Sequence, residues 1–346
     1  KVKNSIGPEF GDASNTYEDK LTAFKQWGST TSLVNLNSAF YKCVNMTYTA
    51  TDTPAGQPTS LYNAFRECAS ITTLDLSSFD LSQCTSLFYT FNDSRYITNL
   101  KLPTDLSNVT TCHSMCWETG KLSSGTVFDL DGLNFSSCTT FLNAFYDTKM
   151  ATGSTFANWT LNPTSNVNLQ GAFKGGSVSL NDTLTTADFS GWTNTGNINS
   201  MQETFFDREK WTTLDITGME ATNTASWAHT FRHLKACESI IGLSSLNASN
   251  ATSLERMFEF CENLSFGDIG SSTNFGANWG PNLSSVTNMK WAFWNAGKNI
   301  TNAKGPDLSN WDTSGVTTNG LFEMFRNAVF PGDTAGNAIT KMDLSG

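Results

Sequence analysis

One spacing recurs along most of this chain: a Phe preceded by apolar residues four and seven positions upstream, as in Val286-Thr287-Asn288-Met289-Lys290-Trp291-Ala292-Phe293. Aligning on that anchor places it at Phe40, Phe65, Phe91, Cys116, Phe145, Phe173, Phe205, Phe231, Phe258, Phe293 and Phe325. The gaps of about 25 to 35 residues are those of a solenoid repeat. A length of 346 residues would suggest two or three domains, but a period this continuous favours one elongated array.

Each repeat changes period internally. Pairs such as Leu33 and Leu36, Cys84 and Leu87, Cys138 and Phe141, Ile198 and Met201, or Ala251 and Leu254 lie one helical turn apart before the anchor, so this arm is expected to be a short helix. Ser, Thr and Asn stand before it as caps. After most anchors the period becomes two, as in Ile71-Thr72-Thr73-Leu74-Asp75-Leu76 and Trp211-Thr212-Thr213-Leu214-Asp215-Ile216, which predicts a strand. A third stripe, Trp27, Phe79, Phe135, Trp192, Trp279 and Trp311, reads as an aromatic ladder in the core. The expected fold is an α/β solenoid, a leucine-rich-repeat-like right-handed coil of about eleven repeats with one parallel sheet and short helical arms.

Residues 1–32 are expected to cap the array, with Tyr17, Leu21, Phe24 and Trp27 on one face of a helix, and residues 33–346 to form the solenoid. Ile339 to Gly346 reads as the opening strand of a further repeat. The expectation is therefore a truncated array that continues beyond this segment or docks on a neighbour.

Charged residues make up only 15 % of the chain, and the net charge is −10. Without a cluster of Lys or Arg the phosphate-binding footprint is missing, which argues against nucleic acid as a partner. No apolar run approaches the roughly 20 residues of a membrane span. Any signal or anchor is expected outside this segment.

Ala64-Phe65-Arg66-Glu67-Cys68-Ala69-Ser70-Ile71-Thr72-Thr73-Leu74-Asp75-Leu76 resembles the unit of the BspA-like leucine-rich repeat proteins, with an Ala-Phe pair, a Cys three residues on, then Leu or Ile at strand spacing. Val286 to Phe293 and Asp307-Leu308-Ser309-Asn310-Trp311-Asp312-Thr313-Ser314-Gly315-Val316-Thr317 resemble the related repeat of mycoplasma-type and protist surface lipoproteins. The resemblance implies a surface-exposed solenoid used in adhesion or in extracellular structures, with no catalytic residues to carry over. Cys116 departs from it in place of an anchor Phe, as do the long loops on either side of Phe293.

Cys43, Cys68, Cys237 and Cys261 follow their anchors at or just beyond the third residue. Adjacent coils on a strand ladder lie about 4.8 Å apart, which admits disulfides Cys43–Cys68 and Cys237–Cys261. The alternative is four buried thiols filling a core slot. Among Cys84, Cys112, Cys116 and Cys138 several pairings stay open. N-glycosylation sequons stand at Asn45, Asn92, Asn108, Asn134, Asn158, Asn181, Asn247, Asn250, Asn263, Asn282 and Asn299, in a chain so rich in Asn, Ser and Thr that chance would produce nearly as many.

Chemistry beyond contact is not indicated. His229 and His233 flank Phe231 at a metal-ligand spacing, but the Glu of a metalloprotease helix is missing, and a surface pair is expected. Carboxylates read as scattered, and no nucleophile elbow, phosphate loop or dinucleotide fingerprint is present. No enzyme activity, metal or cofactor is expected. The leading expectation is an extracellular or cell-surface structural protein, a fibre or coat component contacting other subunits or copies of itself and carrying N-glycans. An adhesin or receptor ectodomain that binds a glycan or host protein on a concave sheet is the alternative. Trp117, Trp211, Trp291 and Trp294, outside the main ladder, discriminate: a row on one face favours sugar binding, and rings scattered beside open ends favour assembly.

Overall fold

The computed structural model describes residues 19–29, 35–177, 179–266, 283–300, 305–306, 308 and 311–329. The chain divides into two compact units, Lys1–Asn162 with Gly176–Leu184, and Pro163–Gly175 with Thr185–Gly346. Each is a parallel β-solenoid. The first carries β1 (Ala23–Phe24), β2 (Thr47–Tyr48), β3 (Thr73–Asp75), β4 (Asn99–Lys101) and β5 (Val127–Asp129) along its strand side. The second carries β7 (Thr186–Asp188), β9 (Thr213–Asp215) and β10 (Ser239–Ile241) there, while β6 (Val167–Asn168) and β8 (Ile198–Ser200) lie on the opposite arm.

One strand per turn gives about eight turns rather than the expected eleven, because several anchor-bearing segments have no named strand among the described residues. Pairing is parallel throughout and stacks like residues: Leu74 on Leu100 on Phe128, and Ala187 on Leu214 on Ile240. These point inward, while Thr73 and Asp75 beside Leu74 are exposed. Strands stop after two or three residues because an Asp or Asn accepts the backbone N–H two residues on, as in Asp75 with Ser77 (2.9 Å) and Asp215 with Thr217 (2.9 Å), and the chain turns there.

The arm expected to be helical is not a helix. Among the described residues the only helical turns are three-residue 3₁₀ segments, Ser179–Asn181, Thr195–Asn197 and Leu243–Ser245. The arm is a run of overlapping tight turns. Ala39 N–H bonds Leu36 O, Tyr41 N–H bonds Ser38 O and Cys43 N–H bonds Phe40 O. The alternate donors reach forward to the next turn instead: Leu36 to Ser60 O, Ser38 to Tyr62 O, Phe40 to Ala64 O and Lys42 to Arg66 O, at 2.7–3.1 Å. In the second unit Trp227, His229, Phe231 and His233 repeat that forward set.

Such a ladder requires left-handed backbone at the second residue before and after the anchor. Ser38 and Lys42, Tyr89 and Asp93, His229 and His233, and Trp291 and Asn295 all have φ between 52° and 60°. For L-residues this costs about 1–2 kcal/mol each, and the hydrogen bonds to the next turn hold them there. Stacked turns bring residues seven and four before the anchor, the anchor itself and the third residue after it inward, which imitates a helical stripe. The predicted caps do cap, but they cap turns: Ser60, Ser86, Thr111, Thr140, Ser200 and Ser253 each accept the N–H two residues on.

The anchors form the core. Phe40, Phe65 and Phe91 stack face to face in the first unit, and Phe173, Phe205, Phe231, Phe258, Phe293 and Phe325 in the second, with centroids 5.2–6.0 Å apart. All but Phe325, which is half-buried, are buried. Of the third stripe, Trp27, Phe79, Phe135, Trp192 and Trp311 are buried as expected, and Trp279 lies outside the described residues. At the N-terminal side Tyr17 is also outside them, whereas Leu21, Phe24 and Trp27 run in strand and turn rather than a helix. There β1 pairs with β2, and Phe24 packs edge-on against Phe40 at 4.8 Å. Ile339 to Gly346, expected to open a further repeat, lie outside the described residues. Among the described residues no helix is long and apolar enough to cross a membrane.

The structure contains neither Cys43–Cys68 nor Cys237–Cys261 as a disulfide: all eight cysteines are buried thiols. The third residue after the anchor has another task, which is to donate to the anchor carbonyl of the preceding turn. Cys68 Sγ bonds Phe40 O (3.0 Å) and Cys261 Sγ bonds Phe231 O (2.9 Å). Ser94 Oγ does the same for Phe65 O (2.5 Å) and Thr119 Oγ1 for Phe91 O (2.8 Å). A thiol aimed at a carbonyl is not aimed at its neighbour's sulfur. Cys237 turns to Ser239 O (3.3 Å), and Cys138 Sγ donates to Cys112 Sγ at 3.9 Å, with no S–S bond between them. Burial pushes the Cys84 thiol up to about 11 and Cys237 to about 12, and lifts Cys68, Cys112, Cys116 and Cys261 well above the ordinary range, so these groups stay S–H donors.

Candidate functional site

The outer face of the turn arm collects the side chains that the core does not use. Residues one after, two before and three before the anchor project from it, and in the first unit they include Tyr41, Tyr62, Arg66, Phe88, Tyr89, His113, Trp117 and Tyr146. Tyr62 stacks on Phe88 at 5.5 Å, and Trp117 packs on Tyr146 at 5.5 Å. The Arg66 guanidinium lies over both the Tyr41 ring (5.5 Å) and the Tyr89 ring (5.0 Å), a cation held between two π-faces.

The second residue after the anchor is a carboxylate in four successive turns: Glu67, Asp93, Glu118 and Asp147. This overturns the reading of the carboxylates as scattered; counting from the anchor would have revealed the column. Cations interleave with it. Arg95 pairs with Asp93 and reaches Glu118 at 2.8 Å. Lys121 lies 2.9 Å from Glu118 and 2.6 Å from the buried Asp147, and Arg66 Nε is 3.3 Å from Glu67. The Asp93 carboxylate holds Arg95 above its ordinary pKa. Burial pulls Lys121 down, but Asp147 and Glu118 outweigh it and leave it raised.

Over three of these turns the face forms an open cavity of about 260 Å³, lined by Arg66, Tyr89, Asn92, Asp93, Arg95, Trp117 and Glu118. Asn92 donates to Trp117 O at 3.4 Å.

In the second unit the same face carries Phe206 under Lys174 (5.0 Å) and Arg232 (4.9 Å), Trp291 under Arg256 (4.1 Å), and Trp294 under Arg326 (5.1 Å). Trp117, Trp291 and Trp294 therefore occupy the turn-arm face of their respective units, half-buried, while Trp211 is a core residue with no exposure. His229 and His233 do not act together. His233 Nδ1 pairs with Asp207 Oδ1 at 2.7 Å, and with Glu209 these two bring three ligand-type atoms within 4.8 Å of one another. Lys235 neutralises that Glu209 at 2.6 Å. The sequence reading missed this cluster because its members come from adjacent turns.

Of the sequons, Asn45, Asn108, Asn158, Asn181, Asn250 and Asn299 are exposed, Asn134, Asn247 and Asn263 are half-buried, and Asn92 is buried. Asn282 lies outside the described residues. Several of these amides bridge turns: Asn108 Nδ2 donates to Ser82 O (2.6 Å) and Asn250 Nδ2 to Thr222 O (2.9 Å).

One family model matches the chain in overlapping stretches, residues 9–128, 59–182, 139–267, 167–302 and 266–335, and its description is Mycoplasma protein of unknown function, DUF285. The chain belongs to this family. Overlapping matches are what a repeat produces, since the same model fits again when shifted along the turns. The DUF285 match agrees with the mycoplasma-type half of the resemblance, and the BspA-like leucine-rich-repeat half is not supported. No curated protein and no solved structure matches the chain. The family description assigns no activity to the DUF285 repeat, so the chemistry of the turn-arm face carries the functional reading.

Proposed function

We propose that this chain is a non-catalytic recognition scaffold of the cell surface or extracellular space, an adhesin or receptor ectodomain that binds through the outer face of its turn arm. The observation behind this is the placement of Trp117, Trp291 and Trp294. They lie outside the core on that face of their respective units, accompanied by cations and carboxylates, in the aromatic-and-Arg pattern of contact surfaces. This moves the contact surface from the strand side, where the sequence reading put it, to the arm. The carboxylates around the cavity are paired with Arg95, Lys121 or Arg66, an arrangement suited to holding a ligand rather than exchanging protons with it. The exposed sequons are where N-glycans would be attached.

A fibre or coat component remains the second reading, because stacked turns offer the same hydrogen-bonding groups repeatedly. Its deciding contacts would be between copies of this chain. Beads coated with the purified chain test the two. Adhesion to cultured cells that is lost in the variant W117A/W291A/W294A, with the chain monomeric by light scattering, supports recognition. Adhesion unchanged in that variant, or polymers that form regardless of it, would overturn recognition.

A further inference from the structure

We propose that the cavity between Tyr89 and Trp117 binds one ring of a neutral sugar, a pyranose within a surface or matrix glycan. This rests on the recognition reading above and names the ligand class for one part of the face. Three observations lead there.

The first is size. At about 260 Å³ the space lies below the roughly 300–1,000 Å³ of sites for drug-sized ligands, and it suits a single six-membered ring better than a peptide side chain with its backbone.

The second is charge. Arg95 is shared between Asp93 and Glu118, Glu118 also meets Lys121, and Arg66 lies 3.3 Å from Glu67, so the charges on this wall are balanced while Arg66 Nε keeps a donor without a hydrogen-bond partner, which a hydroxyl oxygen can accept. A phosphate or carboxylate ligand would have to displace a carboxylate from Arg95, and an ammonium ligand would have to displace the arginine. A hydroxyl disturbs neither: it accepts from a guanidinium N–H and donates to a carboxylate oxygen at once, using the lone pairs and N–H groups left over in the network.

The third is the apolar wall. Trp117 packs against Tyr146 at 5.5 Å, and Tyr89 against Phe88 at 4.2 Å and under Arg66 at 5.0 Å, so both rings are held before any ligand arrives and little ordering entropy is lost on binding. A pyranose is apolar on its C–H face and polar around its rim. A ring platform beside an Arg–carboxylate rim matches that division, whereas an aliphatic side chain would leave the rim unused.

The purified full chain is titrated with methyl β-D-glucopyranoside, methyl β-D-galactopyranoside, methyl α-D-mannopyranoside and methyl N-acetyl-β-D-glucosaminide, followed by saturation-transfer NMR and Trp fluorescence. Inorganic phosphate and an acidic peptide serve as charged comparators. At least one neutral pyranoside is expected to bind. In Trp117→Ala, shown folded by circular dichroism, affinity should fall at least about tenfold, the equivalent of one lost aromatic contact. Glu118→Gln, which keeps shape and loses a charge, should weaken binding, and Trp294→Ala in the second unit should leave it unchanged. Binding of phosphate or the acidic peptide alone, no binding of any pyranoside, or full affinity in Trp117→Ala would each overturn the proposal. Should bead adhesion depend on Trp117 while no sugar competes with it, recognition stands and the sugar assignment falls. Absence of adhesion would remove the recognition reading itself.

Discussion

Arg208 donates from Nε to the carbonyl oxygen of Phe173 at 2.7 Å, in a core where Arg208 itself has no exposure. Its Nη2 also reaches Lys174 O at 3.3 Å, and the guanidinium lies over the Trp211 ring at 5.5 Å. A buried cation is costly unless its donors are used. Arg208 stands third after its anchor, where other turns carry Cys68, Ser94, Thr119 or Cys261, and it serves the same acceptor. Four residue types thus answer one requirement, an N–H, O–H or S–H aimed at the anchor carbonyl of the turn before.

That equivalence makes a test. Cys68→Ser should keep stability within about 1 kcal/mol, since a hydroxyl already does this work at Ser94, whereas Cys68→Ala should lose about 1–3 kcal/mol by leaving a buried acceptor unsatisfied. Arg208→Leu should cost a comparable amount or more. Urea midpoints of the three variants are the measurement, and equal loss in Cys68→Ser and Cys68→Ala would refute the donor role. Denaturing alkylation of the untreated protein should label all eight cysteines.

Phe231 sits between Phe205 at 5.8 Å and Phe258 at 5.3 Å, both face to face. Phe231→Ala should therefore destabilise the second unit by about 3–5 kcal/mol through lost burial and a cavity between two rings. Phe231→Leu should recover much of that. Hydrogen exchange should show the loss concentrated in the neighbouring turns, as expected where each repeat contacts its neighbours alone.

Ser38 has φ 52°, and Gly171 holds the equivalent place before Phe173 with φ 60°. Ser38→Gly is expected to be neutral or mildly stabilising. Ser38→Val, β-branched in a left-handed conformation, should cost more than about 1–2 kcal/mol. Thermal unfolding of the pair gives the answer, and a stable Ser38→Val protein would mean that the turn tolerates other backbone geometry.

Burial lowers the pKa of His229, and Arg232 adds to that effect, against the opposing pull of Glu203 and Glu255. Burial also lowers His113. In both, the folded value lies below the unfolded one, so between the two the unfolded chain binds more protons. Stability is then fully present above the unfolded value of about 6.5 and declines as the pH falls through it towards the folded value. Urea midpoints should drop between pH 7.5 and 5.5, and His229→Gln should flatten that slope. Carboxyls held low, such as Asp52 bonded by the Gly28 and Trp27 amides, act in a separate window below about pH 4.

Much of this molecule was legible in its sequence. The anchor register, the inward stripes and the places of the strands followed from spacing, because side chains that share a core position must share a chemistry; that the strands stop after two or three residues did not. The helical arm did not follow. Leu36, Phe40 and Cys43 have helical spacing, yet turns of four residues place them inward just as well, and only the forward bonds of Leu36, Ser38, Phe40 and Lys42 distinguish the two. Nor could spacing tell a thiol that donates from one that cross-links, since both want a Cys at the same place. The cavity was hidden for a different reason: Arg66, Asp93 and Trp117 are distant in sequence and become neighbours only once the turn length is fixed.

The forward hydrogen bonds of the turn arm bear on how such a chain can change its length. Leu36, Ser38, Phe40 and Lys42 meet the carbonyls of Ser60, Tyr62, Ala64 and Arg66, and Trp227, His229, Phe231 and His233 meet the corresponding set one turn on. Within each unit the turns of these sets show their successors four amides and their predecessors four carbonyls, whatever side chains they display. A gene that gains or loses a whole repeat of this kind by duplication or deletion then needs no new interface, because such turns dock on one another through the main chain. The outward residues are left free to diverge copy by copy, and Arg66, Asn92 and Trp117, all at the same place after their anchors, show that divergence within one molecule.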